Sequence, residues 1–147
     1  MAVVDFGDAV RSYTVGEAAI AAAYAMLGKG DPLAVASRVV AGFHRSFPLR
    51  EAEIAALFPL AGLRLCASVA ISAHQRGREP AEPCLNVSEA PAWALLERLK
   101  RESVDLPHYL FRQACGLEAV TRSKPVVAWL KEHGWEAAPV VGTRAPP

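Results

Sequence analysis

Apolar residues fall in long blocks along this chain, and each block opens on a capping residue or closes on glycine or proline. Residues 18–27 are apolar without interruption, so the helix they form has no wet face and is expected at the centre of a bundle, packed on several sides. Thr14-x-x-Glu17 ahead of it has the spacing of a capping box, in which the hydroxyl and the carboxylate each satisfy a free amide, and Gly28 stops the helix. Asp31-Pro32 opens a second helix, with Leu33, Ala36, Val39, Val40 and Phe43 on one face and an end around Ser46–Pro48. A third opens near Arg50-Glu51, places Glu51 and Glu53 at its positive end, and runs to about Gln75 with a bend expected at Pro59.

Arg76–Val87 reads as a loop. Ser88 then caps a fourth helix with Trp93, Leu95, Leu96 and Leu99 on its apolar side. Asp105 caps a fifth, carrying Tyr109, Leu110, Phe111 and Ala114 and closed by Gly116. Ser123 caps a last one, in which Val126, Val127, Trp129 and Leu130 are expected to pack and Gly134 terminates. From Ile54 to Ala73 the third helix holds a single charge, Arg64, over a length that could span a membrane. Pro59, Gly62, Ser68 and Ser72 argue against a span, and a central arginine costs about 2.5–3.5 kcal/mol on insertion. The expectation is a buried helix and no membrane.

Strand chemistry is confined to the start. Ala2-Val3-Val4 reads as a short strand that ends at Asp5, with Phe6-Gly7-Asp8 turning directly after it. A carboxylate at the end of a strand suits a hard cation such as magnesium, and Gly7 permits a sharp turn, although a D-x-G-D stretch taken alone is more often a plain turn. A lone strand cannot satisfy its own backbone, so it pairs either with a later segment of this chain or, the more natural expectation, with strands of polypeptide beyond these residues.

Composition narrows the function classes. The 147 residues are 52% apolar and 21% charged, an ordinary globular balance for one domain or a piece of one. A net charge of +1 without a basic cluster gives no reason to expect nucleic acid. Cys66, Cys84 and Cys115 are odd in number and widely spaced, which suggests neither disulfides nor zinc, and Cys66 and Cys115 read as small buried hydrophobes. His44, His74, His108 and His133 are scattered and read as helix-surface or helix-end residues. Asp5 and Asp8 interrupt any leader-like apolar stretch, so a cytoplasmic protein is expected. Lys29, Lys100, Lys124 and Lys131 lack surroundings that would hold pyridoxal phosphate, and Tyr13 and Glu17 read as packing and capping residues.

The order of motifs resembles the aminoglycoside phosphotransferase and choline kinase superfamily, in its hydroxylysine-kinase-like branch, which also occurs fused to class III aminotransferases. The resemblance starts at Val3-Val4-Asp5-Phe6-Gly7-Asp8 and V-x-x-Y-T-V-x-E-A-A-I-A-x-A-Y-A-M-L-G-K. It continues through Asp31-Pro32-Leu33, Val40-Ala-Gly-Phe-His44, Phe47-Pro-Leu49 and Glu51-Ala-Glu53-Ile54. Arg64-Leu65-Cys66, Ala90-Pro91-x-Trp93 and Arg112-x-Ala114-Cys115-Gly116 carry it to about Leu130. It implies a mainly α fold, the helical C-terminal subdomain of a protein-kinase-like fold, with one short N-terminal strand and about six helices. Residues 1–135 would form that partial kinase-like lobe and 136–147 a tail. It implies Asp5 as a magnesium ligand beneath the phosphates of ATP or GTP, and Asp8 as support for that ligand or its turn. The motif H-x-D-x-x-x-x-N of such kinases, and their nucleotide-clamping lobe, have no counterpart in these residues. The chain is therefore expected to be inactive alone. It would need an N-terminal kinase lobe on another chain, or would self-associate through its strand, and the alternative is a non-catalytic helical interaction module or degenerate remnant.

Overall fold

The computed structural model describes residues 11–78, 89–103, 105–120 and 123–141. Six helices occupy them: α1 (Thr14–Met26), α2 (Pro32–Ser46), α3 (Glu51–Arg78), α4 (Glu89–Leu99), α5 (Asp105–Ala114) and α6 (Ser123–Val141). No strand occurs among the described residues, and the strand expected at Ala2–Val4 lies outside them. Helix α1 lies against both α2 and α3, α4 packs on α3, and α5 bridges α2 and α3. The short reversals at 27–31 and 47–50 make α1 and α3 run in the same direction, so both begin at one end of the bundle.

Alanine is what lets α1 sit there. Val15, Ala18, Ala19, Ala22, Ala23 and Met26 form its buried face, and short side chains bring helix backbones close together. Larger groups fill the space beyond: Ile54, Leu57 and Leu65 of α3, Val40 of α2 and Phe111 of α5 are all buried. The helix is not dry all round, however. Glu17, Ile20, Ala21 and Tyr24 face outward, because neighbours cover α1 on two sides only.

Several helix boundaries follow local chemistry, but Thr14, Asp105 and Ser123, expected as caps, are instead the first helical residues. Tyr13, extended at φ −72° and ψ 129°, is the residue before α1, and no side chain caps it. Thr14 is thus already helical, one position too far along for its hydroxyl to act as the cap, and the capping box expected with Glu17 does not form. Half of such a box occurs at α3 instead, where the Arg50 backbone N–H donates to Glu53 Oε2 at 2.7 Å. Asp31 caps α2 as expected, its Oδ1 accepting from the Ala34 N–H at 3.0 Å. Gly28 (φ 67°) follows the C-cap of α1, and Gly116 (φ 79°) closes α5. At Gly116 the Leu117 N–H reaches Arg112 O and the Gly116 N–H reaches Gln113 O, the paired bonds of a Schellman stop.

Other outward faces also depart from the pattern. Helix α3 continues through Pro59, whose missing N–H frees the Ala55 carbonyl on the exposed side, where water can satisfy it. By length and composition Glu51–Gly77 could cross a membrane. Ile54, Leu57, Ala61, Leu65, Ser68, Val69 and Ser72 line its buried side, while Leu63, Cys66 and Ile71 are exposed. Cys66 is therefore not the buried hydrophobe expected. Trp93 is half-exposed, because Ala92, Leu95 and Leu99 form the inward side of α4. Val126, Val127 and Trp129 are likewise half-exposed, and none of the three joins the core cluster. Helix α6 also passes Gly134 and continues to Val141 across a kink at His133 (φ −124°, ψ 18°), where the imidazole stacks on Trp129.

The alanine face yields a direct test. Ala23→Leu should destabilise the fold by about 1–3 kcal/mol through overpacking. Ala21→Leu, on the open side, should stay within about 0.5 kcal/mol of the parent. Urea unfolding midpoints of the two variants make the comparison.

Candidate functional site

The end at which α1 and α3 begin is also where polar side chains concentrate. The α2–α3 connection is held by His44, whose Nδ1 accepts the Leu49 N–H at 3.0 Å and must therefore be unprotonated in this arrangement. Arg50 adds to its backbone bond two guanidinium contacts with Glu53, each 3.3 Å, and these hold the Glu53 carboxyl below its usual value. A shallow cavity of about 280 Å³ lies between Thr14 and the segment Phe47, Pro48, Leu49, Arg50 and Glu53.

On the neighbouring side, Glu51 joins α3 to α5. His108 and Arg112 stand one helical turn apart on α5 and so share a face. His108 Nε2 lies 3.0 Å from Glu51 Oε1, and the Arg112 guanidinium pairs with Glu51 Oε2. Arg112 Nε also donates to the Glu118 carbonyl at 2.7 Å, fixing the turn after α5, and Lys124 approaches the Glu118 carboxylate at 3.5 Å. The Arg112 hydrogen bond is the main cause that lowers the Glu51 carboxyl below its usual value of 4.5; partial desolvation opposes it and His108 assists. His108, Tyr109, Arg112, Ala119 and Val120 line a cavity of about 420 Å³ beside this cluster, with the His108 and Tyr109 rings near parallel.

A second network lies midway along the bundle. Arg64, the lone charge of the apolar stretch, donates to the Tyr24 hydroxyl from Nη2 at 2.7 Å and Nε at 3.1 Å. Ser68 Oγ is 3.1 Å from the same hydroxyl. The Ser68 hydrogen bond is the largest influence lowering the phenol from its usual value; burial opposes it and Arg64 reinforces it. The network ties α1 to α3.

Asp5 and Asp8, the residues singled out from the sequence, lie outside the described residues. Among the described residues no three of His, Cys, Asp and Glu come together as a metal site. Tyr13 is exposed, and Glu17 points outward without capping. The lysines considered for pyridoxal phosphate stand in ordinary surface settings, Lys100 beside Glu97 and Lys124 beside Glu118. Glu51, His108 and Arg112 were not expected to meet. Their only local signal is the four-residue spacing of His108 and Arg112, and Glu51 reads as a favourable acid at a helix start whether or not it has a distant partner.

Comparison with known proteins gives the chain its relatives. It is 33% identical over 98 residues to hydroxylysine kinase of Bos taurus, an overlap of 66% of this chain and 26% of that protein. With hydroxylysine kinase of Danio rerio it shares 36% identity over 78 residues, 53% of this chain and 22% of the relative. The Mus musculus protein of the same name is 32% identical over 98 residues, 66% of this chain and 26% of the relative. The matches thus span about a quarter of the relatives' length. No family model matches the chain, and no solved structure does. The relation is hydroxylysine-kinase-like.

Because the Glu51 carboxyl is depressed in the folded state, its contribution is fully present above the ordinary carboxylate range and is lost as pH falls through the folded value. Acidification from about pH 5 to about pH 3 should therefore lower the urea midpoint. Glu51→Gln should have a lower midpoint near neutrality and a shallower fall on acidification. Midpoints measured across that range for parent and variant check both the direction and the slope.

Proposed function

We propose that this chain is the helical C-terminal portion of a hydroxylysine-kinase-like phosphotransferase, which moves the terminal phosphoryl group of ATP or GTP to a hydroxyl on a small amino compound such as hydroxylysine or an amino alcohol. The observation that carries this reading is the identity of about one third with hydroxylysine kinases over 98 residues. The order of motifs from Asp5 to Gly116 supports it.

Within that reading the chain has a limited share of the chemistry. Asp5 offers hard carboxylate oxygens, the donor type that a phosphate-bridging magnesium ion takes. Such an ion, when bound, neutralises charge on the transferring phosphoryl group. Asp8 would support that ligand or its turn, and five residues separate it from the start of α1 at Thr14. The group that accepts the substrate's proton, and those that clamp the nucleotide, come from polypeptide outside these 147 residues, since no H-x-D-x-x-x-x-N stretch occurs within them. The helical bundle supplies the fixed body that carries Asp5 and a wall for the acceptor.

The test joins this chain to the nucleotide-binding and catalytic-loop portion of one of those kinases. The joined protein should phosphorylate 5-hydroxylysine in a magnesium-dependent way, and the 147-residue chain by itself should not. Asp5→Asn should lower kcat by about 100-fold or more, the scale for removing one electrostatic stabiliser of a transition state, with little change in the KM for hydroxylysine. Full activity in Asp5→Asn would remove Asp5 from the mechanism. Turnover by the isolated chain would overturn the proposed division of labour.

A further inference from the structure

Helix α3 is apolar enough to cross a membrane, yet only 28% of its most apolar window is buried, because α1, α4 and α5 leave its outer side open. That open side carries a seven-residue repeat. Ala52, Pro59, Cys66 and Ala73 occupy one position of the repeat, and Ala56, Leu63, Ala70 and Gly77 occupy the other. Ala56 is partly buried and the other seven are exposed. No charge interrupts this seam, since Arg64, the one charged residue between Glu53 and His74, is turned aside to the Tyr24 hydroxyl. The outer side also holds the Ala55 carbonyl, which Pro59 leaves without its helical donor. His74 is exposed there and makes no hydrogen bond among the described residues.

We propose that α3 pairs with α3 of a second copy of this chain, antiparallel and seam to seam. Reversing one copy about the middle of the helix sets each residue of one repeat position level with a residue of the other. Ala52 meets Gly77, Ala56 meets Ala73, Pro59 meets Ala70 and Leu63 meets Cys66. Leu63, the one long side chain of the seam, thus faces a short one, and the small residues let the backbones approach to about 8 Å. The same register brings Ala55 level with His74 of the other copy, whose imidazole N–H can donate to the freed carbonyl. Charge sets the direction. A parallel pair would place the acidic first turns, with Glu51 and Glu53, side by side. The antiparallel pair sets that turn beside Arg76 of the other copy, half-exposed next to Glu89, and opposes the helix dipoles. Such a contact is isologous and closes as a twofold dimer. The seam runs about 38 Å at the helical rise. A strip about 10 Å wide then covers about 400 Å² per copy, half the standard interface, so a weak, micromolar association is expected. The pairing does not depend on the phosphotransferase reading.

Sedimentation equilibrium of the 147-residue chain under reducing conditions should show a monomer–dimer equilibrium in the micromolar range. Ala70→Arg places a charge in the seam at an exposed position. It should weaken dimerisation about tenfold or more and leave the urea midpoint of the dilute chain unchanged. His74→Ala should weaken dimerisation several-fold, and Val127→Arg, on exposed α6, should leave it unchanged. Register is read by oxidation with diamide in chains whose native cysteines are replaced by alanine. Ala56→Cys chains mixed with Ala73→Cys chains should form a disulfide, and neither variant alone should. A chain that stays monomeric at millimolar concentration would overturn the pairing. So would a dimer indifferent to Ala70→Arg, a dimer lost in Val127→Arg, or self-linking by Ala56→Cys. A monomer that instead sediments with phosphatidylcholine vesicles would give the seam to a membrane. A seam protected from hydrogen exchange only in the joined protein would give it to the remaining kinase polypeptide, and either result rules out the dimer.

Discussion

Ala18, Ala19, Ala22 and Ala23 let α1 lie between α2 and α3, and the meeting of Tyr24 with Arg64 and Ser68 depends on that close approach. A larger residue on this face would push the helices apart, because protein interiors hold few voids to absorb it. With α1 in place, the short reversal into α2 and the next into α3 put two helix starts at one end. Arg50, Glu51 and Glu53 are then presented there, and α5, packed on both α2 and α3, brings His108 and Arg112 to Glu51. The polar end of the bundle is a consequence of how the apolar faces pack.

The same packing explains why charges sit where they do. Arg64 falls on a flank of α3 that faces α1, where Tyr24 rather than a carboxylate meets it. At the bundle end full ion pairs occur instead: Arg50 with Glu53, and Arg112 with Glu51. Their effect on stability is modest because solvent screens them, and their main consequence is to keep two carboxylates ionised at one end of the molecule.

Much of the helical framework was legible in the residues. Asp31-Pro32, Gly28 and Gly116 mark boundaries by chemistry that works locally, through a side-chain cap or a backbone angle that favours glycine, and the structure places them as expected. The failures share a different character. Thr14-x-x-Glu17 has the spacing of a capping box but is out of phase by one residue, and spacing alone cannot reveal phase. Trp93, Val126, Val127 and Trp129 are apolar without being buried, because burial depends on whether a neighbour arrives. The Glu51 cluster joins residues more than fifty positions apart, so no window of sequence contains it. Asp5 and Asp8, the residues that the motif order marked for metal, lie outside the described residues.

The two polar networks differ in where they lie. The Tyr24 hydroxyl accepts twice from Arg64 and shares its remaining capacity with Ser68, so its donor and its lone pairs are all engaged. A ligand there would have to break a tie between α1 and α3. Around Glu51 both carboxylate oxygens are engaged, by His108 and Arg112, and a cavity lined by those two residues and Tyr109 lies alongside. Both networks contain an arginine, and both join helices. The first ties α1 to α3 midway along the bundle, and the second ties α3 to α5 beside a cavity.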